Sequence, residues 1–277
     1  MRALSENTRS PWQLLVIDNA SSDGSLERFD AGGVPTRIIK NTKNLGFAAG
    51  VNAALALVET PFALLLNPDA FVHAGCVDAL LERAVTTPKA AAVGAGLRNP
   101  DGSLQPASRN EPSPLTHLIE AFRLYRVLKY VPGIGRWYLL LSKQDAPREV
   151  DWVVGACMLV RLAAVSEVGP FDDRYFMYAE ELDWCVRARR AGWQIWFEPA
   201  AVATHRLGGS SRQNELPLMI ESYRSMYRFY ATYYPRSWTI AARGITRAAM
   251  LARSLALVFR RDRRRARLAA YREIARL

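Results

Sequence analysis

Only three cysteines, Cys76, Cys157 and Cys185, occur in 277 residues, and none lies in a Cys-x-x-Cys pair. They are too few and too scattered for a disulfide framework or a zinc knuckle, and they point to a reducing compartment. Histidine is equally scarce, with His73, His117 and His205 alone. No uncharged apolar run reaches the roughly 20 residues that a membrane-spanning helix needs. The opening MRALSENTRSPW lacks the apolar core of a secretory leader. No Gly-x-Gly-x-x-Gly turn follows a strand, which argues against a nicotinamide-dependent oxidoreductase. No internal repeat is present.

Acidic residues are scarce at one end. Residues 1–211 hold 22 basic and 22 acidic side chains, whereas residues 212–277 hold 15 arginines against Glu215, Glu221, Asp262 and Glu273. The whole net charge of +11 therefore belongs to the C-terminal quarter. A neutral body suits chemistry on a small substrate, and a basic tail suits docking on an anionic surface. Nucleic acid is disfavoured, because the neutral body offers no basic face.

Along the body, short apolar runs alternate with helical patterns. Leu14–Asp18, Thr36–Lys40, Phe62–Leu66 and Ala90–Gly96 read as strands. A short helix is expected after Asn19–Ser25, and further helices over 46–57, 75–86 and 179–190. The last has Glu180, Glu181 and Asp183 at its start and Arg187, Arg189 and Arg190 at its end, both favourable to the helix dipole. A long loop is expected over 100–114, helix over 115–141, a strand pair around Gly155, and short strands at 194–197 and 201–205. Such alternation predicts an α/β domain with a mainly parallel sheet. Asp18 ends one strand and Asp69 follows another, at the carboxyl edge where these folds place ligands.

Several segments carry a more specific pattern: Val16-Ile-Asp-Asn-Ala-Ser-Ser-Asp-Gly24, Asn44-Leu-Gly-Phe-Ala-Ala-Gly-Val-Asn52, Leu65-Leu-Asn-Pro-Asp-Ala70 and Phe176-Met-Tyr-Ala-Glu-Glu-Leu-Asp-Trp184. With Val154–Arg161, Gly169-Pro-Phe-Asp172 and His205, this ordered set resembles the family 2 glycosyltransferases, over residues 14 to about 211. The likeness is greatest to rhamnosyltransferase-like members that build bacterial surface polysaccharides. It implies a Rossmann-like GT-A domain over 1–211, followed by a basic helical tail over 212–277. Family members open with an apolar strand and a helix that form half of the nucleotide pocket. This chain begins at what reads as the end of that helix, so the domain is expected to be N-terminally incomplete.

The resemblance assigns roles that chemistry makes reasonable. Asp18 would accept hydrogen bonds from the nucleotide; the competing reading is a helix cap. Asn44, Gly46, Asn67 and Asp183 are placed among the substrate-binding residues. Asp69 would hold Mg²⁺ or Mn²⁺ on the donor diphosphate, an arrangement that needs only one or two protein oxygens; otherwise it ends an Asx-Pro turn. His205 is a second candidate metal ligand or a structural histidine. Gly208, Gly209 and Ser210 would approach phosphate oxygens. Glu181, with Glu180 as the alternative, would remove the acceptor hydroxyl proton; a solvated helix start is the plain alternative. Trp184, Trp193 and Trp196 either stack on sugar or fill the core.

In the tail, Arg243, Arg247, Arg253, Arg260 and Arg264 share one arc of a helical wheel, opposite Ile245, Ala248, Ala252, Leu255 and Phe259. That pattern fits an interfacial amphipathic helix on an anionic membrane, or a helix packed against the body. The resemblance therefore implies an inverting transfer of a sugar, rhamnose among the candidates, from a nucleotide diphosphate donor to a glycan acceptor, expected to be polyprenyl-linked. The expected location is cytoplasmic, peripheral at the inner face of the cell membrane. The alternative is a non-catalytic glycosyltransferase-like binding or scaffold protein.

Overall fold

The structure, a computed structural model, describes residues 2–206, 215–257 and 264–277. Gly208, Gly209, Ser210, Phe259 and Arg260 lie outside the described residues, as does the side chain of Arg264. In chain order the first elements are α1 (Arg2–Asn7), β1 (Leu14–Asp18), β2 (Thr36–Lys40), α2 (Phe47–Leu55), β3 (Phe62–Leu66), β4 (Ala70–Val72), α3 (Cys76–Thr86) and β5 (Ala90–Arg98). Then come β6 (Leu104–Gln105), β7 (Ser108–Arg109), α4 (Pro114–Ala121), α5 (Tyr125–Leu128), α6 (Ile134–Trp137), β8 (Arg148–Glu149), β9 (Trp152–Val153) and β10 (Cys157–Arg161). The chain closes with α7 (Leu162–Val168), α8 (Glu180–Arg190), β11 (Gln194–His205), α9 (Glu215–Tyr233), α10 (Arg236–Ala256) and α11 (Arg264–Arg276).

Two units emerge, each with its own core. The first comprises 1–111, 142–176 and 180–207, the second 112–141, 177–179 and 208–277. The expected division at 211 thus misses that 112–141 folds with the tail.

In the first unit the main sheet has the order β3-β10-β5-β11-β4, with β6 on β5 and β8 on β11. β5 and β11 pair in parallel, and β3 shares their direction because β10 runs antiparallel between β3 and β5. The pairs β1–β2 (parallel) and β7–β9 form small separate sheets. The two short strands expected at 194–205 are one long strand. It stays paired to β5 through a register shift between Glu198 and Val202, where Pro199 has no N–H to give to the ladder. β5 is buried from Ala90 to Leu97 and is built of small residues. A Cβ on Gly94 would lie 2.5 Å from Val153 Cβ, so only glycine lets the two strands pack. The expected helix after Asn19 is instead a series of turns; Asp18 Oδ1 accepts from Ser21 N at 3.2 Å and caps the first of them.

The second unit is helical. Ser113 and Thr116 form a capping box at the start of α4, with Pro114 at the first helical position. Ala121, Ile220, Ala249, Met250, Leu257, Ala270, Tyr271 and Ile274 make its core. The wheel predicted for the tail is therefore rotated. Ile245 packs against this core, and Arg253 Nη2 reaches inward to Ala121 O, 2.6 Å away, while Ala248, Ala252 and Leu255 face solvent. Sequence spacing alone does not reveal that a partner helix offers a free carbonyl to one of the arginines.

Within this unit His117 Nε2 lies 2.9 Å from Thr246 Oγ1, and its ring meets Tyr230 edge-on at 5.6 Å. Burial pushes the His117 pKa down to about 4, with a backbone hydrogen bond opposing the shift. The folded state therefore favours the neutral ring. Its contribution is complete above the unfolded value of about 6.5 and is lost as pH falls towards about 4. Across that window wild type should lose about 1.4 kcal/mol per pH unit relative to His117→Gln, measured by melting the two proteins side by side. A difference independent of pH would contradict a buried neutral ring.

Candidate active site

Amide side chains lock the loops beyond β1 and β2 onto the start of α2. Asn19 Nδ2 donates to Gly46 O at 2.9 Å, Asn41 Nδ2 donates to Asn19 Oδ1 at 2.7 Å, and Asn44 Oδ1 accepts from Gly46 N at 3.0 Å. Gly46 has φ of 85°, and a Cβ there would sit 2.3 Å from Phe176 O. That close approach frees Phe47 N to donate to Phe176 O at 2.9 Å. One helical turn on, Asn52 Nδ2 donates to Phe171 O at 2.8 Å and its Oδ1 accepts from Phe171 N at 2.9 Å. The spacing of the Asn44–Asn52 motif thus grips the backbone at 171 and again at 176, just before α8. Asn44 and Gly46 are accounted for by this grip, and Asn52 was missed as a positioning residue.

α8 is fastened at its other side. Asp183 is 2% exposed and its Oδ2 accepts from Arg187 Nε at 2.8 Å. Arg187 also donates to Val168 O and Pro170 O, and Trp184 Nε1 donates to Gly169 O at 3.0 Å. Trp184 stacks on Phe171 inside the core. The expectation that Asp183 binds substrate is corrected: its carboxylate is buried and held by Arg187. Trp184 likewise fills the core.

At the start of the same helix stand Glu180 and Glu181. Tyr178 and Ala179, immediately before them, have φ of 70° and 67°. Two successive non-glycine residues in this region store strain of the kind that clusters at functional sites. Glu181 Oε1 accepts from Gly155 N at 3.4 Å; Glu181 Oε2 and the buried Glu180 Oε2 have no hydrogen-bond partner among the described residues. Burial raises the Glu180 pKa well above the ordinary range, and the Glu181 charge adds to it. Burial also raises Glu181, opposed by backbone N–H groups including Gly155 and by the Arg109 charge. Of the two, Glu181 is the carboxyl with a backbone donor, Gly155 N.

Ala156, the residue after Gly155, accepts from Asn67 N at 3.0 Å, so one turn anchors both Glu181 and the Asn67-Pro-Asp69 segment. Ala70 N donates to Asn67 O, and Arg206 N donates to Asp69 O, setting Asp69 against the end of β11. Asp69 Oδ1 and His205 Nε2 lie 3.2 Å apart. His205 is buried, and its Nδ1 lies 2.8 Å from Gln105 Oε1. Gln105 Nε2 donates to Asn99 Oδ1 at 3.0 Å, which turns its carbonyl towards the ring. His205 therefore donates through Nδ1 and presents Nε2 to Asp69. Two acceptors at this distance repel unless a proton or a cation lies between them. Ligands at right angles on an octahedral ion with bonds of about 2.1 Å lie about 3 Å apart, so the pair fits two corners of a divalent cation. No group of three or more His, Cys, Asp or Glu side chains among the described residues is placed to hold a metal. Gln105 was missed by sequence reasoning, because nothing in a Leu-Gln-Pro stretch signals a partner 100 residues away. Asp18 remains at the end of β1, part-exposed beside its turn, and Gly208, Gly209 and Ser210 are not described.

With this geometry in hand, comparison with known proteins is informative. The model of the family Glycosyl transferase family 2 matches residues 1–140. The chain is 31% identical over 282 aligned residues to N-acetylglucosaminyl-diphospho-decaprenol L-rhamnosyltransferase of Mycobacterium tuberculosis, covering 96% of this chain and 90% of that protein. A shorter match, 34% identical over 79 residues, is to rhamnosyltransferase WbbL of Escherichia coli, covering 28% of this chain and 30% of that one. Among solved structures, the mannosyltransferase PcManGT of Pyrobaculum calidifontis in complex with GDP-Man and Mn²⁺ is similar with a TM-score of 0.55 at 14% identity, over 95% of this chain and 75% of that one. GalNAc-T7 with UDP, GalNAc and Mn²⁺ gives 0.54 at 11% identity, over 81% of this chain and 43% of that one. At such identities these structures show a shared GT-A fold.

The electrostatics of the carboxylate pair can be read directly. In a carbon-13 NMR titration, Glu180 should ionise above the ordinary glutamate value of 4.5. Glu181→Gln should lower that midpoint by removing the neighbouring charge, yet leave it above 4.5 because burial remains. An unmoved midpoint would mean that the two carboxyls do not share a field.

Proposed function

The chain belongs to glycosyl transferase family 2, and on that premise we propose that it moves rhamnose from a nucleotide diphosphate sugar to a polyprenyl-diphosphate-linked glycan. Support for the acceptor and the sugar comes from the mycobacterial relative, whose name states both and which aligns over 96% of this chain. The observation that carries the chemistry is the turn at Gly155 and Ala156, which anchors Glu181 on one side and the Asn67–Asp69 segment on the other.

The acceptor hydroxyl oxygen attacks the anomeric carbon as the carbon–oxygen bond to the diphosphate breaks, with inversion. The electron pair leaves with the diphosphate, and the hydroxyl proton passes to Glu181 Oε2. Burial makes Glu181 a stronger base than an exposed glutamate, which raises the efficiency of that proton transfer. Glu180, with the neighbouring charge against it, keeps its own proton and so limits the repulsion. Asp69 and His205 are the residues that would hold Mg²⁺ or Mn²⁺, which offsets the charge of the departing diphosphate when bound. Gln105 fixes the His205 tautomer needed for that. Asp18, at the end of β1, is assigned to the nucleotide.

A polyprenyl-linked acceptor lies at a membrane surface, so the enzyme works as a peripheral protein, at the cytoplasmic face. No helix among the described residues is long and apolar enough to cross a membrane.

Calorimetry with dTDP, UDP and GDP tests the metal and the nucleotide together. A nucleoside diphosphate should bind tightly only with Mn²⁺ or Mg²⁺, and Asp69→Ala should remove the metal-dependent part. Gln105→Leu should weaken Mn²⁺ by about 10- to 100-fold, the effect expected of an outer partner to a metal-bound histidine. Equal nucleotide affinity with and without metal would refute the assignment of Asp69.

A further inference from the structure

Exposed apolar side chains gather in the second unit, chiefly in the segment after α4. Phe122, Leu124, Val127, Tyr130, Val131 and Trp137 are all exposed, Val127 at 69% and Tyr130 at 76%. Scattered exposure of this kind is ordinary; a run of six within 16 residues is not. The same segment contains Arg123, Arg126, Lys129 and Arg136 and no acidic residue from 121 to 144. Arg123, Arg126 and Lys129 are exposed, and Lys129 Nζ lies 4.9 Å from the Tyr130 ring. The backbone explains why these apolar groups stay outside. Arg123 at φ 57° and Gly133 at φ 78° break it into the single turns α5 and α6, so no continuous helix face exists to bury them.

A second exposed strip lies in the same unit. On α10, Ile240, Leu251 and Leu255 are about 60% exposed, with Arg236, Arg243 and Arg247 exposed alongside. The Arg253–Ala121 hydrogen bond joins the C-terminal half of α10 to the residue at which the apolar segment begins. Both strips belong to the second unit, whose residues 208–277 hold the entire charge excess.

We propose that residues 122–137 form an interfacial docking surface for an anionic phospholipid membrane. Aromatic rings with apolar neighbours suit the boundary between headgroups and acyl chains, and the arginines and lysine complement anionic headgroups. This replaces the tail face expected from the helical wheel, since Ile245 and Arg253 are engaged in the core. The proposal rests on the membrane-linked acceptor only for its purpose, because the contact itself is read from the side chains.

The test is flotation of the full chain with vesicles that contain no nucleotide and no glycan acceptor. Vesicles with about one third anionic lipid should capture the protein at least tenfold more than neutral ones, and rising salt should weaken but not abolish capture. The triple variant Val127→Ser, Tyr130→Ser, Val131→Ser should lose about tenfold at every salt concentration, as an apolar contribution requires. The triple variant Arg123→Gln, Arg126→Gln, Lys129→Gln should lose most at low salt. Metal-dependent nucleotide binding should survive in both, showing that they fold. Capture of both variants at the wild-type level would overturn the proposal, as would a wild type that stays in solution. A wild-type dimer that the first variant turns into a monomer would assign the surface to a second copy of the chain and refute the membrane assignment. Because the vesicles carry no substrate, loss of sugar transfer with capture intact would count against the proposed reaction alone.

Discussion

The Asn52 side chain holds the Phe171 backbone by two hydrogen bonds, 2.8 and 2.9 Å, and the geometry of the site depends on that clamp. Together with the contact of Gly46 against Phe176, it fixes the path of the chain into α8. Asp183, Trp184 and Arg187 secure the same helix from its inner face. Only after these restraints are in place can Glu180 and Glu181 remain buried without full hydrogen bonding. A buried carboxyl would otherwise move towards water or a donor, because its desolvation is costly. Strain at Tyr178 and Ala179 belongs to the same balance, since left-handed non-glycine residues persist only where their surroundings over-determine them.

Much of this could be read from the sequence. Asp18 at the end of β1, Asp69 just beyond β3, the charges at both ends of α8 and the order of the motifs all pointed to the GT-A fold. The failures have physical causes. A helix-start pattern does not show which of three acids finds a cationic partner, so Asp183 was grouped with Glu180 and Glu181 although Arg187 holds it in the core. β10 lies antiparallel between β3 and β5, a pairing that apolar runs cannot specify. Gln105 acts through a contact made only when β6 pairs with β5 beside the end of β11. The turns after Asp18 resemble a helix start because Asn, Ser and Asp serve as caps for both.

The second unit shows the same limit on a larger scale. Its helices come from distant parts of the chain, and the core formed by Ala121, Met250 and Tyr271 is invisible until they meet. Assembly turns one face of α10 inward and leaves basic and apolar groups on the other. Charge in this protein is thus segregated by unit: an α/β unit with 18 basic and 21 acidic side chains carries the carboxylates and the Asp69–His205 pair, and a helical unit with 19 basic and 5 acidic side chains carries the exposed aromatic segment.

The central claim is that Glu181, buried beside the turn that also positions Asp69, takes the proton of the acceptor hydroxyl. Single-turnover sugar transfer by wild type and Glu181→Gln, with donor affinity measured in parallel, tests it most directly. The account predicts unchanged donor affinity and a loss of transfer of about a hundredfold or more, the contribution expected of a general base. Transfer by Glu181→Gln at the wild-type rate would contradict it.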